Sequence, residues 1–511
     1  MTAWLKRSVD LLKIVRNGDV MGTESAVVAG DYLNLLDGQW VGARSEQFIA
    51  VESPRNRKVI ARVPRGGEKD IADAVDAAWR AFPGWRDTAP RARGRLLQQI
   101  ADALEPHLER IARIISEENG NALRTQSRGE VQFAIDVFRY FGSVASEVKG
   151  ETIPLNPSVL DYSRREPLGV VGAIVPWNAP VQLAVMKIAS ALAAGNALVL
   201  KAAEDAPLAV LEIAKICHEF LPRGVLNVVV GFGSEAGEAL ITHPDVRKLS
   251  FTGSTAVGKR VMSAAAERIV PVSLELGGKN PQIVYPDAGE DWVAQGTITG
   301  MRFVRQGQSC TAGSRLFVHR SILDSFVEKV VSHLGKLKVG DPLDEESDIG
   351  AIVNRKQFDR VCGYIDEGLS RNDSVVAIGG APPAEGPLAE GYFVEPTVFV
   401  GVDNEWRIAQ EEIFGPVMCV IPWDDEDDVI KMANDSHYGL SAFIWTHDIG
   451  RALRTAHSIE AGWVQVNQGG GQVLGQSYGG YKQSGIGREF SLEGMVESFT
   501  QRKHVSVDTT H

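Results

Sequence analysis

The chain has 511 residues, 44% hydrophobic and 23% charged, with a formal charge of −12. That length exceeds what one hydrophobic core usually serves, so two or three domains are expected, and the net acidity without a long basic run argues against nucleic acid or an anionic membrane surface as partner. Four cysteines (Cys217, Cys310, Cys362, Cys419) make no disulfide framework and no close metal-binding pair, which fits a reducing cytoplasm, and no apolar run reaches the roughly 20 residues of a membrane span.

Residues 1–30 form an N-terminal extension. MTAWLKRSVDLLKIVRNGD mixes basic and apolar residues at helical spacing, but Asp10 and Asp19 argue against an organelle transit peptide. An extra helix or a disordered lead-in is expected before the fold begins near Tyr32, with Met21 as an alternative start. From 68 to 120, DIADAVDAAWRAF and RGRLLQQIADALEPHLERIARIISEENG keep apolar residues three and four apart and predict helices. From 168, short β-rich runs (GVVGAIVP, ALVLKA, VLNVVVG, RKLSFTG, PVSLELGG) alternate with stretches of crossover-helix length such as VQLAVMKIASALAAG and SEAGEALITH. Val/Leu-rich strands alternating with helices predict an α/β fold with a doubly wound parallel sheet. After 279 the alternation resumes with NPQIVYP, SRLFVH and AFIWTH; 371–390 reads as a surface loop and SFTQRKHVSVDTT as an edge strand.

Two turns could hold a phosphate. Gly231-Phe-Gly233-Ser-Glu-Ala-Gly237 follows a strand and opens a helix, although its spacing is one residue longer than the usual dinucleotide fingerprint. FTGSTAVG repeats the arrangement, with Gly253 and Ser254 at the helix start. Tight turns without a ligand are the bland alternative.

Glu275 lies between two leucines in SLELGGKNP. A buried carboxyl there has a raised pKa, suited to a general base, unless a lysine or backbone amides tie it down structurally. Asn178, between the prolines of PWNAP, is either a turn residue or a fixed amide aimed at a developing oxyanion. Cys310 lies in QGQSCTAGS, where Gly307 and Gly313 permit close approach and Ser309 and Thr311 are too small to cover the sulfur. Its setting favours a nucleophile, whereas Cys217 and Cys419 have bulky apolar neighbours and read as core; Cys362 also reads as structural.

Taken together, PWNAP, LELGGK, GQSCTAGS, EEIFGP (411–416) and YGGYKQSGIGRE (478–489) resemble the aldehyde dehydrogenase superfamily in order and approximate spacing, over about residues 32–505. The resemblance implies a Rossmann-type cofactor domain (31–144 and 168–278), an α/β catalytic domain (279–490) and a small β oligomerisation element (145–167 and 491–511). It implies NAD(P)-dependent oxidation of an aldehyde to an acid through a Cys310 thioester, with Asn178 and the Cys310 amide holding the oxyanion and Glu275 activating water. Lys187 is implied as an interior polar contact. Lys201 and Glu204 match positions at the adenosine ribose, Ser254 the pyrophosphate contact, and Glu412 and Phe414 the nicotinamide-ribose clamp; Trp177 fits the cofactor or substrate rim. Glu204 would repel a ribose phosphate, so NAD is expected over NADP, although several family members take both. A small-molecule aldehyde as substrate, a homodimer or homotetramer, and no metal are further implications.

The sequence departs from the family pattern in places. Ala202 stands where proline is common, Arg305 where asparagine is common, and Ala179 where phenylalanine is frequent. NQGGGQVLGQSYGGYK lacks the aromatic residues usual before GGYK, with Gly469, Gly470, Gly471 and Gln472 at its start. A wide or flexible mouth for bulky or aromatic aldehydes is expected, with Trp177, Leu183, Met186 and Tyr478 as walls and Ser309 and Thr311 beside the sulfur. The alternatives are a CoA-acylating semialdehyde dehydrogenase, which generally lacks a base at the Glu275 position, a non-catalytic binding relative, which should have lost one of the three catalytic residues, and a thiol hydrolase, which would need a His partner.

Overall fold

The computed structural model describes Val27 and residues 30–371 and 375–510. Val27 and Gly30 apart, the N-terminal extension lies outside the described residues. Between 68 and 119 the expected helices are present: Glu68–Asp87 turns Ile71, Ala74, Val75, Ala78, Phe82 and Trp85 inward, and Pro90–Leu104 and Leu108–Asn119 follow. The second starts on a proline, which needs no amide partner in a first turn.

An eight-stranded sheet runs Gln39–Val41, Asn34–Leu36, Leu226–Val230, Ala197–Ala202, Val170–Ile174, Lys248–Thr252, Val272–Glu275, Gly485–Ile486. Its inner strands, from Leu226–Val230 to Val272–Glu275, are parallel and lie in the chain order third, second, first, fourth, fifth. The order therefore reverses beside Val170–Ile174, and the crevice at the carboxyl end of that strand is where doubly wound sheets bind ligands. Val170, Val171, Leu198, Val199, Leu200, Val228 and Val229 are wholly buried. Helices cover both faces of such a sheet, which is why its strands read as unbroken apolar runs.

A seven-stranded sheet runs Val375–Ile378, Thr397–Val400, Val417–Trp423, Arg315–His319, Pro281–Val284, Ser441–Trp445, Trp463–Val466, all parallel except the first. A third, antiparallel sheet joins Thr152–Asn156, Val159–Pro167 and the terminal strand Thr500–Asp508.

Two expectations are revised, and one stretch is added. The stretch 371–390 is not all loop, because Val375–Ile378 pairs antiparallel with Thr397–Val400 at the sheet edge. SEAGEALITH is not one regular helix: Gly233–Gly237 is a wide turn, and only Glu238–Thr242 is α-helical. Residues 34–64, which gave no sequence signal, form two hairpins, Asn34–Val41 and Phe48–Pro64.

Candidate active site

The parallel strands of the first sheet each deliver one of the singled-out features at their carboxyl ends. Asn178 follows Val170–Ile174 and sits just before the helix Pro180–Ala193; Lys201 lies in the last turn of pleat of Ala197–Ala202. The Gly233–Gly237 turn follows Leu226–Val230, Gly253 and Ser254 follow Lys248–Thr252, and Glu275 ends the fifth strand.

Ser254 is the N-cap of the helix Thr255–Arg268, its hydroxyl accepting from the Val257 amide at 3.4 Å. A Cβ on Gly233 would meet nothing within 4 Å, so the backbone of that turn is open to a ligand. Lys201 donates to Glu204 at 2.6 Å. Ala202, where proline is common in the family, is buried in the strand and leaves that pair intact.

The second sheet contributes the loops that close over this edge. Cys310 is half-buried. Its carbonyl accepts from the Asn280 amide at 2.8 Å, and the same nitrogen donates to Ala312 O at 2.9 Å. Asn280, in the GGKNP stretch, thus sets the shape of the cysteine loop; the sequence shows the motif but not this task. Gly278 lies so near that a Cβ there would be 2.5 Å from the Cys310 carbonyl. Gly307, at φ +62, approaches the Gly415 carbonyl, and Gly313 makes room for the Gln282 side chain. Both glycines therefore serve protein–protein packing within the chain, and their close approaches are not to a ligand.

Asn178 is 8% exposed. Its side-chain nitrogen donates to Gln308 O at 3.0 Å, and its carbonyl accepts from Asn121 at 3.3 Å. An amide nitrogen carries two protons, so one holds Asn178 against the cysteine loop and the other remains to donate. The Tyr478 hydroxyl lies 3.7 Å from the Cys310 sulfur. Ser309 and Thr311 join hydroxyls at 3.1 Å on either side of the cysteine.

Glu275 is 6% exposed, and neither carboxylate oxygen has a hydrogen-bond partner among the described residues. Burial raises its pKa well above the ordinary carboxylate value; the Glu489 charge adds to the rise, and Lys187 and Arg488 oppose it. The structural reading, a glutamate tied to a lysine or to amides, does not hold. Lys187 instead ion-pairs with Glu489, both fully enclosed. Glu489 belongs to the YGGYKQSGIGRE motif, yet a partner 302 residues away is not readable from sequence.

Glu412 accepts from the Gly278 amide at 3.0 Å, and burial raises its carboxyl to about 7. Phe414, at φ +60, takes a backbone conformation rare for a bulky residue, and its ring meets Trp177 edge-on at 5.4 Å. Of the other wall candidates, Met186 is 1% exposed within the main core and Leu183 packs against that core. Cys217 and Cys419 are wholly buried; Cys362 is partly so.

Two arginines acquire partners that the sequence does not show. Arg305 donates to Gln126 at 3.0 Å and lies 4.0 Å from the Glu130 carboxylate. Glu130 in turn accepts from the Val181 and Gln182 amides at 3.0 and 3.2 Å, at the start of the helix that follows Asn178. Arg302 was carried by no motif. It donates to Gly469 O at 2.7 Å and to Gly470 O, and so anchors the glycine loop expected to be flexible.

A buried carboxylate without a hydrogen-bond partner among the described residues, a half-covered thiol and an amide with a spare proton lie at the carboxyl edge of a doubly wound sheet, beside two strand–Gly–helix turns. The chain belongs to the aldehyde dehydrogenase family, whose profile matches residues 40–505. An aldehyde dehydrogenase of Vibrio cholerae serotype O1 is 41% identical over 462 residues, 90% of this chain and 91% of that one. One from Rhodospirillum rubrum is 40% identical over 492 residues, 95% and 97% of the two chains. Among solved structures, the NAD+ complex of an aldehyde dehydrogenase from Bacillus cereus superposes with a TM-score of 0.90 at 38% identity, covering 94% of this chain and 96% of that one.

Proposed function

We propose that this protein oxidises bulky or aromatic aldehydes to carboxylic acids with NAD, through a thioester on Cys310. The observation that carries this reading is Glu275, a buried carboxylate without a hydrogen-bond partner among the described residues, whose charge reaches both Cys310 and Tyr478. A carboxylate is costly to hold in that state, and a base waiting for water is the use that accounts for it.

The Cys310 thiol gives up its proton to water and the sulfur adds to the aldehyde carbon, so that the carbonyl oxygen takes up the negative charge. The free proton of the Asn178 amide and the Cys310 backbone amide donate to that oxygen. A nicotinamide cofactor, when bound, would accept the hydride that leaves this carbon as its C–H bond breaks and the carbonyl re-forms, so that the carbon is left as a thioester on Cys310. Glu275 then takes a proton from water as the water oxygen attacks the thioester carbon; the carbon–sulfur bond breaks, and the sulfur leaves Cys310 free again.

The residues fit a dinucleotide. The open backbone at Gly233 and the Ser254 helix start suit phosphates, and Lys201 with Glu204 lies at the end of the second strand, where an adenosine ribose would sit. The Glu204 carboxylate disfavours a ribose phosphate there and so supports NAD over NADP. Glu412 and Phe414, beside Trp177, suit the nicotinamide ribose. We assign the first sheet to the cofactor domain, the second to the catalytic domain, and the three-stranded sheet to oligomerisation, with a dimer or tetramer as the assembly and the cytoplasm as its compartment.

Bulk in the substrate is supported by the glycine loop. A Cβ on Gly471 would meet nothing within 4 Å, and one on Gly470 only Gln465 at 3.9 Å, so the mouth is open there. An NADH-formation assay over small, long aliphatic and aromatic aldehydes tests the reading. Cys310→Ala should abolish NADH production, and Glu275→Gln should leave a burst of NADH followed by slow turnover. A preference for acetaldehyde-sized compounds would remove the bulky-substrate part. Acyl-CoA formation on adding CoA would favour the CoA-acylating alternative.

A further inference from the structure

Arg302 caps the helix Asp291–Met301 at φ +61, in the left-handed region, eight residues before Cys310. Its Nε lies 3.4 Å from the Thr311 hydroxyl, one residue from Cys310, and its terminal nitrogens donate to the Gly469 and Gly470 carbonyls. These acceptors satisfy N–H groups without neutralising the charge. No carboxylate lies within ion-pair distance of Arg302 among the described residues, and the charged arginine nearby, Arg305, has the same sign.

Arg315 also rests on carbonyls without an acid, but it is 1% exposed and sealed inside the second sheet. Arg302 differs in being half-buried, with its terminal nitrogens on the Gly469 and Gly470 carbonyls of a loop where a Cβ on Gly471 would meet nothing within 4 Å. The chain as a whole carries −12 and would repel an anionic substrate, so local positive charge at the mouth has a distinct use.

We propose that Arg302 forms an anion subsite at the outer end of the substrate passage, and that the preferred aldehydes carry a carboxylate remote from the reacting carbonyl. This rests on the aldehyde-oxidising reading above and narrows its substrate class. The guanidinium keeps its carbonyl anchors and uses its remaining N–H and its charge on the carboxylate.

The test compares acids with their neutral esters at matched length: glutaric semialdehyde and para-carboxybenzaldehyde, each against its methyl ester, in the NADH-formation assay. In the unaltered protein kcat/KM should favour the acids by about tenfold or more, mainly through KM. Arg302→Gln should collapse the acid-to-ester ratio towards unity. Arg302→Lys, which keeps the charge but loses the paired carbonyl anchors, should retain most of the ratio. Equal rates for acid and ester in the unaltered protein overturn the subsite while leaving aldehyde oxidation standing. So does an Arg302→Gln variant that slows both alike, since Arg302 then only anchors the loop. Should Arg302→Gln not fold, the unaltered protein and Arg302→Lys still decide, a lost ratio in the lysine variant counting against the proposal. If no aldehyde of either kind is oxidised, the proposed function itself falls, and the subsite with it.

Discussion

Burial pushes the Cys310 thiol up to about 11; the Tyr478 hydroxyl opposes the rise, the Glu412 and Glu275 charges add to it, and Arg305 opposes it weakly. At neutral pH the sulfur is therefore protonated, and the thiolate fraction grows by about tenfold for each pH unit as pH rises towards that value. Alkylation of Cys310 by iodoacetamide should follow that slope without cofactor. Tyr478→Phe removes the hydroxyl at 3.7 Å and should raise the thiol pKa further, slowing alkylation at fixed pH by about three- to tenfold while the limiting rate at high pH stays the same. A slope that does not move would mean the hydroxyl leaves the sulfur alone. The nucleophile's position was legible from small neighbours in QGQSCTAGS, but its thiol's high pKa was not, because the burial that chiefly raises it and the Glu412 and Glu275 charges that add to it come from distant segments.

At the scale of elements, the helix Pro180–Ala193 carries the consequence of Arg305. Glu130, on the helix Arg128–Val144, receives the first amides of Pro180–Ala193 and faces Arg305 from the cysteine loop, so one buried carboxylate ties three segments together. A carboxylate at a helix start is favoured by the exposed amides and the helix dipole. Glu130→Ala should orphan those amides and cost about 1–3 kcal/mol for each, read as a lower denaturation midpoint. Activity should fall with it through kcat, because Asn178 precedes that helix by two residues. Arg305 was visible in the sequence as an added charge whose direction could not be read. Its direction depends on Glu130, which lies 175 residues earlier in another helix and matches no motif.

For the whole molecule, the terminal strand Thr500–Asp508 pairs with Val159–Pro167 from Thr500↔Pro167 to Asp508↔Val159 and returns the chain's end to its first third. Ile153, Leu155, Leu160 and Val507 stay exposed on that three-stranded sheet, more apolar side chain than so small a sheet gains by facing water. Deleting residues 500–511 should unpair Val159–Pro167 and shift the protein to smaller species in sedimentation or light scattering. An unchanged mass would count against the proposed role of this sheet in oligomerisation.

By itself the sequence determined the alternation of buried strands and helices, and with it the doubly wound class, because a strand buried on both faces must be apolar along its length. It also singled out Cys310, Asn178 and Glu275, since small neighbours, flanking prolines and a carboxylate between leucines are local signals. Only the tertiary structure decided that Glu275 has no hydrogen-bond partner among the described residues while Lys187 belongs to Glu489, that Asn280 holds the cysteine loop, and that Arg302 donates to the carbonyls of the glycine loop. Each of these depends on which distant groups share a buried space, and hydrogen bonds and charges act through that space, not along the chain.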